Sequence, residues 1–239
     1  MTFEVIPAID LRGGRCVRLF QGDYARETRY SDDPVGVAMR WEDLGAPRLH
    51  VVDLDGARDA APANQEVMAR ICEMVSIPVE VSGGIRDFES LAAAFAYGAE
   101  RVQLGSAAVG NREFVSDAVR RYPDGIVVAI DARDGEVFTD GWRVATGRAA
   151  MDVAREMVEA GVPRLMFTDI GRDSTLTEPN FEALAELVAT VGVPVVASGG
   201  VARVEHLARL ARIGCEGAIV GKALYEGTIE LPAALAAVK

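Results

Sequence analysis

Lysine and histidine are nearly missing from this chain. Only Lys222 and Lys239, and only His50 and His206, occur in 239 residues. A Schiff-base lysine mechanism therefore has essentially one candidate, and a metal site built from two or three histidines has almost no material. Cysteine is scarce as well: Cys16, Cys72 and Cys215 are odd in number, widely spaced and form no C-x-x-C. They read as reduced, buried thiols of a cytoplasmic protein, with no structural disulfide or zinc site. No apolar run approaches the ~18 residues of a membrane span. The opening Met-Thr-Phe-Glu-Val-Ile-Pro has neither a basic region nor a cleavage site, so it reads as a first strand and not as a signal peptide. Positive charge is in deficit, with 25 Lys and Arg against 36 Asp and Glu and a net charge of -11. That balance argues against nucleic acid or an anionic membrane as partner. An anionic small molecule remains open, because local backbone N–H groups and a few arginines override the global charge.

Half the residues are hydrophobic, and the length suits one large domain, close to that of a (β/α)8 barrel. The most informative feature is an internal repeat. Residues 78–84 read Pro-Val-Glu-Val-Ser-Gly-Gly and residues 194–200 read Pro-Val-Val-Ala-Ser-Gly-Gly, an offset of 116 that holds without a gap. Asp53 falls on Asp169, Asn64 on Asn180, Gly98 on Gly214 and Gly105 on Gly221. A further pair, at an offset of 121, is Ala8-Ile9-Asp10 and Ala129-Ile130-Asp131. Short β-branched runs near 4–10, 48–53, 78–82, 101–105, 126–131, 164–169, 194–198 and 217–221 alternate with helical patterns. The helices are expected at 34–45, 64–75, 87–97, 111–121, 149–160, 180–191, 203–212 and 230–238. The alternation implies a parallel sheet. Eight strands in two similar halves, about 1–120 and 121–239, point to a TIM barrel made of two (β/α)4 half-barrels in a single domain. An open doubly wound sheet is the alternative. Such a barrel closes on itself, so a monomer is expected. Asn64 and Asn180 are placed to cap helices, and Gly98 and Gly214 to end them.

In barrels of this kind the active site lies at the C-terminal ends of the strands. Polar residues expected there are Asp10, Asp53, Asp131 and Thr168-Asp169, with Arg172-Asp173 in the following loop. The symmetric pair Asp10 and Asp131 is the candidate acid–base couple, one ionised and one protonated, with mutual proximity splitting their pKa values. Asp53 and Asp169 read either as functional acids or as residues that hold loops. Ser82-Gly83-Gly84 and Ser198-Gly199-Gly200 each join a strand to a helix. Gly105-Ser106-Ala107 and Gly221-Lys222-Ala223 follow the next strand of each half. Glycine lets backbone approach a ligand, and a helix N-terminus offers free N–H groups to an anion. Two such devices across one barrel mouth imply an elongated bisphosphate substrate. Trp142, on a polar loop, is either an aromatic platform over a ring or an anchor for the loop. Trp41 and His50 read as core residues, and His206 as a solvated helix residue.

Taken together, Ile6-Pro-Ala-Ile-Asp10, Val17-Arg18-Leu19, Gln21-Gly22-Asp23, Val52-Asp-Leu-Asp55, Ser82-Gly-Gly-Ile-Arg86, Asp140-Gly-Trp142, Thr168-Asp-Ile170 and Gly221-Lys-Ala-Leu-Tyr225 resemble the phosphoribosylformimino-aminoimidazole carboxamide ribotide isomerases of histidine biosynthesis, the HisA family. The resemblance covers the whole chain. It implies an Amadori rearrangement of an aminoaldose to an aminoketose, without metal or cofactor. It assigns Asp10 as base and Asp131 as proton donor, adds Thr168 and Asp173 to the catalytic set, and leaves Asp173 competing for the donor role. It also places Arg18, Gly22 and Gly171 among the substrate-binding residues. Two positions depart from the family pattern: Ser174 and Glu178 replace glycines, and a positive φ at Ser174 would strain its loop. Three other readings compete. One is the sister cyclase of imidazole glycerol phosphate synthase, which carries a lysine where this chain has Arg18. Another is a bifunctional isomerase that also takes phosphoribosylanthranilate, with Arg143 available for its carboxylate. The third is a phosphate-binding barrel without catalysis.

Overall fold

The computed structural model describes residues 3–239. Eight parallel strands close into a ring: Glu4–Arg12, Leu49–Asp53, Val79–Ser82, Arg101–Leu104, Ile126–Arg133, Leu165–Asp169, Val195–Ser198 and Gly217–Val220. Spatial order follows chain order, and the last strand returns to the first with Glu4 opposite Gly217 and Ile6 opposite Ile219. Helices Pro34–Asp43, Gln65–Met74, Phe88–Ala96, Arg112–Arg121, Ala150–Glu159, Phe181–Val191, Val204–Ile213 and Leu231–Ala236 pack outside. This is the (β/α)8 barrel expected from the alternating pattern, not an open sheet.

Between these elements lie structures that the sequence pattern does not announce. After the first barrel strand the chain forms a hairpin, Arg15–Phe20 with Asp23–Ser31. After the fifth it forms another, Glu136–Thr139 with Val144–Ala149. No residue of either outer strand is buried, so neither has the buried alternate face that would signal a strand. Short helices Leu54–Asp59, Ser106–Gly110 and Lys222–Tyr225 are likewise too brief for a helical period.

Side chains alternate across each strand, so one parity faces the barrel interior and the other the helices. Ile6, Ala8, Val127, Ala129, Met166, Val196 and Ile219 form the interior cluster. Val5, Ile9, Leu11, Val128, Ile130, Leu165 and Phe167 belong to the larger core beneath the helices. Continuing the interior parity upward leads to Asp10, Val52, Ser82, Gly105, Asp131, Thr168, Ser198 and Gly221. Each therefore faces inward at the C-terminal rim. Toward the other end of the strands Arg48 pairs with Glu4 (3.0 Å) and Glu100 (2.9 Å), and Arg164 with Glu216 (2.8 Å).

Asp53 and Asp169 have the opposite parity and hold loops. Asp53 is fully buried. It accepts from Gly56 N (2.8 Å), Ala63 N (2.6 Å), Asn64 N (2.9 Å) and Asn64 Nδ2 (2.6 Å). Asp169 repeats the motif, accepting from Asn180 Nδ2 (2.9 Å) and Gly171 N (3.0 Å). Asn180 also caps its helix through Ala183 N. Asn64 does not: its side-chain oxygen is taken by Gly14 N at 2.8 Å. Gly98 and Gly214 end their helices at φ 105° and 99°.

His206 is buried, contrary to the solvated position expected. It packs edge-on to Phe181, and its Nδ1 accepts from Ala202 N at 3.3 Å. It thus takes the place that Ser90 occupies in the first half, where the hydroxyl accepts from Arg86 N and Asp87 N. Trp41 and His50 are buried as expected. All three cysteines are free; burial pushes the thiols of Cys16 and Cys215 up to about 12 and that of Cys72 up to about 11.

Removing the Asp53 carboxylate strands several buried donors, each worth about 1–3 kcal/mol. Asp53→Ala should therefore lose about 3 kcal/mol, a fall of roughly 6–12 °C in Tm by thermal melting. A shift within 1–2 °C of zero would contradict the loop-holding role. Burial first, and Arg203 next, hold the His206 imidazole below its ordinary 6.5, against the opposing charges of Glu178 and Glu205. Between the folded and unfolded pKa values the unfolded chain binds the extra proton. The stability tied to this group is thus complete above about pH 6.5 and is lost as pH falls toward the folded value. Tm measured from pH 7 to pH 5 should fall more steeply in wild type than in His206→Gln.

Candidate active site

A cleft of about 1120 Å³ opens at the C-terminal rim of the barrel. Asp10, Asp131, Thr168 and Asp173 line it together, and the first-half turn Ser82-Gly83-Gly84 and the pair Gly105-Ser106 form one end. A second cavity of about 320 Å³ adjoins it, lined by Ser198, Gly199, Gly200, Gly221 and Lys222. Arg18, Asp173, Ser198 and Ile219 border both. The two glycine-rich devices thus sit in two connected cavities with the acids between them. Asp53, Asp169 and Arg172, expected at the rim from sequence, line neither cavity, and nor does Gly171, whose carbonyl accepts from Gln21 Nε2.

The double glycines answer a local backbone constraint. A Cβ on Gly83 would collide with the carbonyl oxygen of Asp53, and one on Gly199 would lie 2.6 Å from that of Asp169. Both have positive φ, 102° and 89°. In each half the turn passes directly over the end of the preceding strand. Neither Gly105 nor Gly221 is followed by a side-chain cap, so no side chain competes for the first amides of the short helices Ser106–Gly110 and Lys222–Tyr225. Ser106 Oγ accepts from Asp140 N at 2.8 Å. Lys222 Nζ donates to the Ser174 carbonyl at 3.1 Å.

The acids differ in their surroundings. Asp10 Oδ2 lies 2.9 Å from Arg18 Nη1, and Asp173 Oδ1 lies 3.5 Å from Arg18 Nη2. Arg18, on the hairpin strand, is nearly enclosed, and its guanidinium bridges the two carboxylates against Gly221. Burial is the largest influence on Asp10 and raises its pKa; Arg18 opposes this and Asp173 adds to it. Asp131 has no cation at hydrogen-bond distance among the described residues. Burial raises its pKa too, with Trp142 and Thr168 pulling it down and Asp173 pushing it up. The neighbouring carboxylate acting on both members of the symmetric pair is therefore Asp173. The expected direct coupling of Asp10 with Asp131 is not what shifts them. Thr168 stands in register with Asp131 on one side and Ser198 on the other. Its buried hydroxyl is near enough to Asp131 to lower that acid's pKa, yet it completes no well-aligned hydrogen bond among the described residues.

His50, read from sequence as a packed residue, also lines the cleft, one layer below Val52. Its Nδ1 lies 2.8 Å from Glu80 Oε1. Burial alone would push Glu80 up. The His50 hydrogen bond and charge, with Arg101 and Arg48, bring it below its ordinary value. Inward parity was the available signal for His50. Tyr24, on the unannounced hairpin, lines the cleft too, as do Gln103, signalled like His50 by inward parity, and Arg86, which closes the Ser82-Gly-Gly-Ile-Arg86 motif.

Trp142 belongs to a run of three residues at positive φ: Asp140 at 54°, Gly141 at 65° and Trp142 at 66°. Its ring lines the cleft and packs on Gly22, leaving no room there for a Cβ. The turn at Gln21-Gly22 therefore touches Trp142 on one side and Gly171 on the other, joining three rim loops. Among the described residues no group of three or more His, Cys, Asp or Glu is placed to hold a metal ion.

The histidine biosynthesis protein family matches residues 4–230. A protein of Dehalococcoides mccartyi, named 1-(5-phosphoribosyl)-5-((5-phosphoribosylamino)methylideneamino) imidazole-4-carboxamide isomerase, is 55% identical over 231 residues, covering 97% of this chain and 95% of the relative. A relative of the same name from Chloroflexus aggregans is 52% identical over 233 residues, covering 98% and 97%. Another from Roseiflexus sp. is 48% identical over 236 residues, covering 99% and 100%.

Gly22→Ala should displace the Trp142 ring from the cleft. In a Trp41→Phe background, where Trp142 is the sole tryptophan, this is expected as a red-shifted emission. Unchanged emission would contradict the packing.

Proposed function

This chain belongs to the histidine biosynthesis protein family, and we infer that it is that family's isomerase, which converts a phosphoribosylamino aldose into its phosphoribulosyl ketose by acid–base catalysis. The observation that carries the reading is the pair of inward acids, Asp10 and Asp131, set between two glycine-rich anion grips. The substrate in the relatives' name bears two phosphoribosyl groups, hence two phosphates. Ser82, Gly83, Gly84, Gly105 and Ser106 hold one phosphate; Ser198, Gly199, Gly200, Gly221 and Lys222 hold the other. Backbone N–H groups supply most of this recognition, which suits a chain that is acidic overall.

The reaction is a redox-neutral proton relay. A donor protonates the ribose ring oxygen, the C1′–O bond breaks, and the amine nitrogen supplies the electron pair that forms an iminium. A base then takes the C2′ proton, giving an enolamine. Loss of the C2′ hydroxyl proton and return of a proton to C1′ yield the ketone. Asp131 suits the donor: burial raises its pKa and so favours the protonated carboxyl, and no cation among the described residues lies at hydrogen-bond distance to oppose it. Asp10 suits the base: burial raises its pKa and strengthens its proton affinity, while Arg18 at 2.9 Å favours the carboxylate form. Thr168, whose hydroxyl faces Asp131 without a well-aligned hydrogen bond, is available to the substrate at the reacting end. Asp173 adjusts the charge felt by both acids. No step calls for a metal or cofactor.

The alternatives are not favoured. The relatives carry the isomerase name, not that of a cyclase. Arg143, which a second substrate's carboxylate would need, donates to the carbonyls of Asp140 (2.7 Å) and Arg58 (3.0 Å) and does not line the cleft. The same reading makes the enzyme cytoplasmic and monomeric. No helix among the described residues is long and apolar enough to cross a membrane, and the barrel closes through its own strands.

Asp10→Asn should lower kcat by about 10²–10⁴-fold while the bisphosphate still binds in calorimetry. Turnover at the wild-type rate would sink the mechanism. Incubation with a chelator should leave wild-type activity unchanged.

A further inference from the structure

Ser174 sits at φ 58°, in the left-handed region where a side chain is strained and glycine is not. It is also nearly enclosed, at 7% exposure. A strained, buried serine in a loop where the family resemblance has glycine calls for a compensating contact. Its hydroxyl supplies one, donating to Asp173 Oδ2 at 2.9 Å. The other oxygen of that carboxylate, Oδ1, faces Arg18 Nη2 at 3.5 Å. Asp173 is thereby held from two sides, by the hairpin strand and by its own loop. The Ser174 carbonyl is fixed as well, accepting from Lys222 Nζ at 3.1 Å. The strained peptide is thus pinned to the second phosphate grip at one end and to a catalytic carboxylate at the other.

We propose that Ser174 is a positioning residue, whose hydroxyl fixes the Asp173 carboxylate in the plane from which it acts on Asp10 and Asp131. The proposal rests on the isomerase reading above. It explains why serine is tolerated at positive φ: the hydroxyl returns in catalysis what the backbone loses in stability. Such an exchange is common where function needs a geometry that relaxed backbone would not hold. Asp10 from the first strand, Asp131 from the fifth, Arg18 from the hairpin and Lys222 through the loop are the charged groups around this carboxylate.

The test compares wild type with Ser174→Gly and Ser174→Ala. Both variants lose the hydroxyl, but only glycine relieves the strain. Ser174→Gly should melt at or above wild type and Ser174→Ala below it. Despite these opposite stabilities, kcat should fall about tenfold in both, with KM for the bisphosphate within twofold of wild type. A merely structural role would make activity follow Tm, leaving the glycine variant as fast as wild type. That result would overturn the proposal, as would a loss confined to KM. Inactive but folded wild-type protein would instead overturn the isomerase reading, which keeps the two failures distinct.

Discussion

Eight parallel strands closed into a ring leave only every second side chain inside. Once Ile6 and Ala8 are committed to the interior cluster, Asp10 must follow them inward, and Asp131 must follow Val127 and Ala129. The same parity turns Thr168 and Ser198 toward the cleft and sends Asp53 and Asp169 away from it. A one-residue slip in any strand would exchange these positions, placing a loop-holding acid in the cleft and a cleft-lining one among the helices. The hydrophobic layer in the barrel therefore aims the site above it.

Upon this two-fold frame the electrostatics are asymmetric. Asp10 has a guanidinium at 2.9 Å, whereas Asp131 has an indole, a hydroxyl and burial. Arg18 has no counterpart in the second half; the turn Gly141-Trp142 occupies the corresponding hairpin. Two carboxylates with matching backbone positions thus have different surroundings, because one shares a buried cation and the other does not. Asp173, reached by Arg18 and Ser174, is the third charge that adjusts both.

The rim loops are joined more tightly than their separation in sequence suggests. Gln21 holds the Gly171 carbonyl, Gly22 packs on the Trp142 ring, and Lys222 holds the Ser174 carbonyl. Several of these residues have positive φ, including Gln21, Asp140, Trp142 and Ser174. Loop strain is thus gathered at the cleft mouth, where side chains are aimed at the ligand space, while the barrel beneath remains regular.

The amino-acid sequence by itself determined the barrel, its eight strands and outer helices, the paired glycine turns and the inward pair Asp10 and Asp131. Each of these is written in a local period or in an exact repeat, and both survive without knowledge of long-range contacts. Only the tertiary structure decided the rest. The hairpins have exposed outer strands and therefore no period to read. The burial of His206 depends on Phe181 and on the amide of Ala202, which no helical pattern reveals. The influence of Asp173 on both acids arises between segments more than 40 residues apart, where sequence offers only the residue types. Asn64 lost its expected capping role because Gly14, 50 residues earlier, occupies its side-chain oxygen. Periodicity is a property of neighbours along the chain, and charge balance at the cleft is a property of neighbours in space.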